Sequence, residues 1–146
     1  MVEWGSGTIE SGRHRLAIRV YWEDTDAGGI VYYANYLKFA ERARTEMLRL
    51  VGIEQDRLRA EEGLTFAVRS CAVDYLKPAR LDDRLEIVSR IGNLGGASLV
   101  ALQEVWRGAA ALARLTVKLA LIGSSGKAVR LPIRLKDALE PLTSTS

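Results

Sequence analysis

The sequence predicts an α+β domain in which one long amphipathic helix packs on an antiparallel sheet of about five strands. Three observations lead there. In residues 35–52, Tyr36, Ala40, Ala43, Met47 and Leu50 fall on one helical stripe, while Lys38, Glu41, Arg42, Thr45 and Arg49 fall elsewhere. From Leu64 onward the apolar residues switch to a period of two in several long runs. Short turns join those runs, and short turns connect antiparallel neighbours because parallel pairing needs a long crossover. A helix with one apolar face laid on such a sheet makes two layers.

Each element has its own signals. Residues 1–12 are rich in Gly and Ser without a period, so they read as a flexible N-terminal tail, with 13–146 as a single domain. The lone histidine, His14, has no metal or triad partner in sequence and is expected at the surface. Leu16, Ile18 and Val20 alternate with Arg15, Ala17, Arg19 and Tyr21, a half-buried strand. Residues 23–29 break that pattern with acids and glycines. The helix follows, with Asn35 as its expected N-cap and Gly52 as its stop. Ala40 and Ala43 on its apolar stripe leave room for a sheet to come close. Residues 53–62 read as a shorter helix closed by Gly63. A strand over 64–76 ends at Lys77-Pro78. Leu85, Ile87 and Ile91 mark the next, and 93–96 is turn chemistry. Residues 97–106 form another strand, stopped by Arg107-Gly108. Leu115, Val117, Leu119 and Leu121 alternate in the last, before a turn at Ser124-Ser125-Gly126 and a short closing helix within 132–142.

Composition narrows the function classes. The 146 residues suit one domain, and 48% apolar with 27% charged is ordinary for a globular chain. The net charge of +3 comes with no dense Lys/Arg block, which argues against nucleic acid as a partner. One cysteine, Cys71, cannot make an intrachain disulfide, and its apolar surroundings in sequence read as a buried structural thiol. No apolar run approaches the ~18 residues that would span a bilayer. The first residues lack the basic and apolar regions of a secretory signal. The expectation is a cytoplasmic protein without stable membrane insertion.

Chemistry concentrates in residues 19–52, a strand, an acidic loop with Gly28-Gly29, and then the long helix. Asp26 stands just before the N–H groups that open the helix. A carboxylate can act as nucleophile or as general base toward water. It is a weak nucleophile, so its target must be activated, as a thioester carbonyl is. Backbone N–H groups at a helix opening polarise such a carbonyl. On spacing alone, Asp24 and Asp26 read first as loop acids that cap turns. The loop fails the calcium-hand spacing, Gly28-Gly29 lacks the Gly-Lys-Ser/Thr of a phosphate loop, and no Gly-x-Ser-x-Gly elbow occurs. No metal ligand set is expected.

The segment EDTDAGGIVYYANYLKFAERARTEML closely resembles the active-site segment of the 4-hydroxybenzoyl-CoA thioesterase family. It is most similar to the acyl-CoA thioesterase subgroup associated with the bacterial Tol-Pal envelope system. The likeness continues through RSCAVDYLKPARLDDRLEI and spans roughly residues 13–122. It implies a hotdog fold, an antiparallel sheet wrapped around one long central helix. It implies an acyl-CoA thioesterase, a homo-oligomer (dimer or dimer of dimers) with sites at subunit interfaces, and no cofactor beyond the CoA of the substrate. The family's catalytic carboxylate falls on Asp26 and its oxyanion N–H on Tyr33. Gly29 and Ile30 shape the approach, Tyr32 packs or lines the acyl pocket, and Asn35 braces the turn. Lys77 and Arg80 are candidates for the CoA phosphates. Many members of that subgroup carry His where this chain has Tyr33. A backbone donor survives that change; an imidazole acid/base role does not. The alternative is a non-catalytic module that binds acyl-CoA or acyl-carrier protein in the same cleft. A hotdog dehydratase or isomerase needs a His or Glu base on the helix, where Glu41 and Glu46 belong to the polar side.

Overall fold

The long helix α1 (Asn35–Leu50) buries Tyr36, Phe39, Ala40, Ala43, Met47 and Leu48. In the computed structural model, which describes residues 5–143, it lies on a sheet of six strands. These are β1 (Thr8–Glu10), β2 (Arg13–Arg19), β3 (Thr65–Tyr75), β4 (Arg84–Leu94), β5 (Ser98–Arg107) and β6 (Ala110–Ile122). Their order is β1-β2-β4-β5-β6-β3, and every pair is antiparallel. This is the hotdog arrangement, with one strand more than the five expected. A shorter helix α2 (Gln55–Glu62) ends on Gly63 at φ 66°, and α3 (Ile133–Leu139) runs into a 3-10 turn at Glu140–Thr143.

The core is where the alternating positions of β4, β5 and β6 meet the apolar face of α1. Ala40 and Ala43 are fully buried, and the absence of bulk there lets the helix axis approach the sheet. Leu85, Ile87 and Ile91 of β4 are buried in that layer beside Ala101 and Val105 of β5 and Leu115 and Val117 of β6. Fully burying an aliphatic or aromatic side chain contributes roughly 1.5–3 kcal/mol, so this layer dominates stability.

The structure corrects three expectations. Residues 8–10, read as tail, form β1 and pair with β2 in register Thr8↔Arg15 to Glu10↔Arg13, while residues 1–4 of that stretch lie outside the described residues. His14 is not at the surface. It is fully buried, and its Nε2–H donates to the Ser6 carbonyl at 2.7 Å, while Ser6 Oγ donates to Glu46 Oε2 of α1 at 3.2 Å. Its position fits the β2 alternation, because it shares the inward face with Leu16. Cys71 is exposed rather than buried, because β3 is an edge strand.

A belt of polar side chains crosses the core under α1. His14, Ser89 and Gln103 are cross-strand neighbours on β2, β4 and β5. Gln103 Nε2 donates to Ser89 Oγ and to the Ala40 carbonyl, both at 2.9 Å, and Arg44 Nη1 donates to Gln103 Oε1 at 3.1 Å.

Candidate active site

The acidic loop is a tight hairpin. A short 3-10 turn, Trp22–Asp24, leads in, and Asp24 Oδ2 accepts the Tyr21 N–H at 2.8 Å. Thr25 then bridges to Val31, and the Asp26 N–H donates to the Ile30 carbonyl at 2.9 Å. Gly29 closes the turn at φ 79°, a conformation that favours glycine. Asp26 is exposed, and its Oδ1 accepts the Gly28 N–H at 2.8 Å. A Cβ on Gly28 would sit 3.2 Å from that oxygen, so glycine keeps the carboxylate uncrowded. Asp26 Oδ2 has no hydrogen-bond partner among the described residues. Of the two loop acids, Asp24 caps the turn, and Asp26 commits one oxygen and leaves the other open.

The opening of α1 is tied to this hairpin by one carbonyl. The Asp24 carbonyl accepts the Tyr32 N–H at 3.0 Å and the Asn35 Nδ2 amide at 2.8 Å. Asn35 is therefore not the N-cap expected from sequence. Ala34 holds the cap position, already in a helical conformation at φ −70° and ψ −19°, and makes no side-chain capping bond. The Asn35 amide is spent on the Asp24 carbonyl of the acidic loop. The Tyr32 carbonyl accepts the Asn35 N–H at 2.8 Å. Because a trans peptide sets N–H opposite to C=O, the Tyr33 N–H points out of the helix opening. No acceptor among the described residues takes it.

Beside the opening lies an apolar cleft of about 360 Å³, lined by Ile30, Val31, Tyr33, Tyr36, Tyr75, Leu76, Lys77 and Pro78. Tyr75 Oη donates to the Tyr33 carbonyl at 2.9 Å, and the Tyr75 ring meets Tyr33 and Tyr36 edge-on, with centroids 6.2 and 5.4 Å away. Tyr36 Oη accepts the Ala79 N–H at 2.9 Å, which pins the Pro78–Ala79 turn to α1. Burial pushes the Tyr36 phenol above its usual range, so it stays a neutral hydroxyl.

Of the residues expected from sequence, Ile30, Tyr33 and Lys77 line this cleft. Asp26, Gly29, Tyr32, Asn35 and Arg80 do not. Asp26 flanks it through its hairpin partner Ile30. Tyr32 is 47% exposed, with its ring 4.9 Å from that of Tyr33. The Arg80 N–H is spent on Asp83 Oδ2, at 2.8 Å. Burial works against the charge of Asp83, but the Arg80 N–H and the Arg107 guanidinium outweigh it and hold the carboxyl below its ordinary value. Asp83 is a paired structural acid. Sequence reading missed Tyr75, the residue that buttresses the opening. Its signal was there: it is the last residue of β3 before the Lys77-Pro78 stop.

The profile of the Thioesterase superfamily matches residues 28–113, which takes in Gly28, the helix and the strands as far as Ala113. The chain belongs to the thioesterase superfamily. Within that superfamily it is similar to the acyl-CoA thioesterase YbgC of Haemophilus influenzae, 42% identical over 126 residues, 86% of this chain and 93% of that one. It is also similar to the acyl-CoA thioester hydrolase YbgC of Escherichia coli, 54% identical over 91 residues, 62% of this chain and 67% of that one. Among solved structures, a probable thioesterase from Bartonella henselae superposes with TM-score 0.79 at 40% identity, covering 82% of this chain and 99% of the other.

Chemically, the loop and the helix opening of this superfamily member offer a carboxylate with one oxygen and a backbone N–H that find no partner among the described residues. An apolar cleft walled by tyrosines lies beside the opening. No helix among the described residues is long and apolar enough to cross a membrane.

Proposed function

We propose that the protein hydrolyses acyl-CoA thioesters to free acid and CoA, with Asp26 as its catalytic carboxylate. The observation that carries this reading is the Tyr33 N–H at the opening of α1, unpartnered among the described residues, beside the hairpin that holds Asp26. The acyl group enters the tyrosine-walled cleft, and the thioester oxygen accepts the Tyr33 N–H. Asp26 then acts in one of two ways. As nucleophile, it forms a C–O bond to the carbonyl carbon while the C–S bond breaks, and water cleaves the resulting anhydride. As base, it takes a proton from the attacking water. Either way the CoA thiolate leaves and takes up a proton. No cofactor beyond the substrate's own CoA enters the scheme.

Three further parts belong to the same proposal. Lys77, at the mouth of the cleft, meets the CoA phosphates. The protein works as a homo-oligomer, since β3 is a long strand with one unpaired edge. Its place is the cytoplasm, where CoA thioesters are made and used.

Thiol release from short, long and aromatic acyl-CoAs, and from an acyl-carrier-protein thioester, tests the reading when run beside Asp26→Asn. At least one substrate should turn over catalytically, and the Asn variant should fail on it. Stoichiometric binding of every thioester without thiol release would make the chain a carrier-binding module instead.

A further inference from the structure

Tyr75 reaches the opening of α1 from another element, and the proposed function gives it no task. It is the last residue of β3, paired across the sheet with Ala113. The Leu76 and Lys77 N–H groups that follow it both donate to the Leu112 carbonyl, at 2.8 and 3.1 Å. Those two bonds fix the end of the strand and so the place from which the ring leaves the sheet. The hydroxyl crosses 42 positions of sequence to donate to the Tyr33 carbonyl at 2.9 Å. The ring stands edge-on to Tyr33 and Tyr36 and walls the apolar cleft.

That carbonyl is one the helix leaves over. In an α-helix the carbonyl of residue i accepts the N–H of residue i+4. For Tyr33 that donor would be Leu37, whose N–H goes to the Ala34 carbonyl instead, at 3.1 Å. Among the described residues, the Tyr75 hydroxyl is the only partner the Tyr33 carbonyl has. The peptide on the other side of Tyr33 is held too, because the Tyr32 carbonyl accepts the Asn35 N–H at 2.8 Å. Both planar units flanking Tyr33 are thus fixed, one by the start of the helix and one by β3. Desolvation, the largest cause, holds the Tyr75 phenol above its usual range, so the hydroxyl keeps the proton it donates.

We propose that Tyr75 is a positioning residue for thioester hydrolysis, its hydroxyl aiming the Tyr33 N–H and its ring seating the acyl group. The inference rests on the proposed function, which makes that N–H the donor to the thioester oxygen. The hydroxyl acts in two ways. It keeps the peptide after Tyr33 from turning, and so steadies the residue whose N–H meets the developing oxyanion. It also offsets the partial negative charge of the Tyr33 carbonyl, which belongs to the same residue as the donor. Both effects grow as negative charge develops on the thioester oxygen, so they belong to kcat. The ring touches the acyl group alike in the bound substrate and in the transition state, so it belongs to KM.

The test separates the hydroxyl from the ring. Tyr75→Phe, which removes only the hydroxyl at a 47% exposed position, should keep the wild-type circular dichroism. Its kcat on the best acyl-CoA should fall about tenfold, less than the loss of a direct oxyanion donor, with KM within about twofold. Tyr75→Leu removes the ring as well and should add a rise in KM of about fivefold. A second readout needs no turnover. In an Asp26→Asn background, the carbonyl stretch of a bound acyl-CoA, isotope-labelled at the thioester carbon, should lie below its value in free solution. Adding Tyr75→Phe should move that stretch back toward the free value. A Tyr75→Phe variant with wild-type kcat would overturn the inference and leave the hydrolase reading intact. So would one that raises KM as much as it lowers kcat, or a carbonyl stretch that does not move. A wild type that releases thiol from no acyl-CoA would overturn the hydrolase reading itself, and this inference with it.

Discussion

The two ends of the polar chemistry around α1 are treated oppositely. At the opening, the Tyr33 N–H and Asp26 Oδ2 have no partners among the described residues, and both residues are more than a third exposed. Under the body of the helix, Gln103 and Ser89 are buried and bonded to each other, to Ala40 and to Arg44. The physical reason is solvent. An open polar group costs little while water can serve it, and it stays available to a substrate that displaces the water. The same group inside the core would cost about 1–3 kcal/mol. The opening should therefore be rich in catalytic effect and poor in stability effect, and the body the reverse.

Asp26→Asn is the strongest test of the first half. Positioned acid–base or nucleophilic groups contribute about 10²–10⁴-fold, so kcat on the best acyl-CoA should fall by that range. The melting temperature should stay within a degree or two, since among the described residues the side chain accepts one bond, from the Gly28 N–H. Unchanged kcat in a folded Asn variant would remove Asp26 from the chemistry.

Gln103→Leu probes the second half. It strips the acceptor from Arg44 and the donor from Ser89 and the Ala40 carbonyl. Orphaning buried polar groups, one of them charged, should cost about 3 kcal/mol by urea denaturation. The kcat of the protein that remains folded should change less than threefold. A mild stability loss with a large kcat loss would mean that the belt reaches the chemistry.

This contrast was only half legible in the sequence. The period of α1, the two-residue period of the strands and the stop at Lys77-Pro78 all follow from local pattern, and the structure keeps them. The EDTDAGG loop stood out because its acids and paired glycines break the strand's alternation. The belt was invisible, because His14, Ser89 and Gln103 are single polar residues far apart in sequence. Only the registers His14↔Ser89 and Ser89↔Gln103 make them one feature. β1 was hidden for a similar reason. Its three residues carry almost no pattern, and their pairing with β2, together with the nearby His14–Ser6 bond, defines them. Tyr75 is a residue on one strand whose role depends on a helix opening 42 positions away.

Asn35→Ala sits at the border of the two regimes and should show both effects in small measure. Loss of the 2.8 Å bond to the Asp24 carbonyl should cost about 1 kcal/mol. The freed hairpin should also lower kcat about tenfold, because reacting groups displaced by an ångström lose rate steeply. KM should move less than kcat. A stability loss with no change in kcat would leave Asn35 as scaffold only.

The smallest expected effect comes from a buried side-chain atom that has no partner among the described residues. His14 Nδ1 is buried with no partner among the described residues, while Nε2 is committed to the Ser6 carbonyl. Burial lowers the imidazole pKa below its usual value, and the Ser6 carbonyl and Glu46 only partly offset that. Protonation would place an N–H on Nδ1 with nothing to accept it. The unfolded chain, with an ordinary value of about 6.5, takes up the proton first as pH falls. The contribution of His14 is therefore complete above roughly pH 6.5 and shrinks as pH falls from there toward the lowered folded value. The slope it adds is at most about 1.4 kcal/mol per pH unit. Wild type should therefore lose more stability between pH 7 and pH 5 than His14→Asn, which cannot titrate there. Parallel stability–pH curves for the two proteins would show that water reaches Nδ1 and that the belt is open at its β2 end.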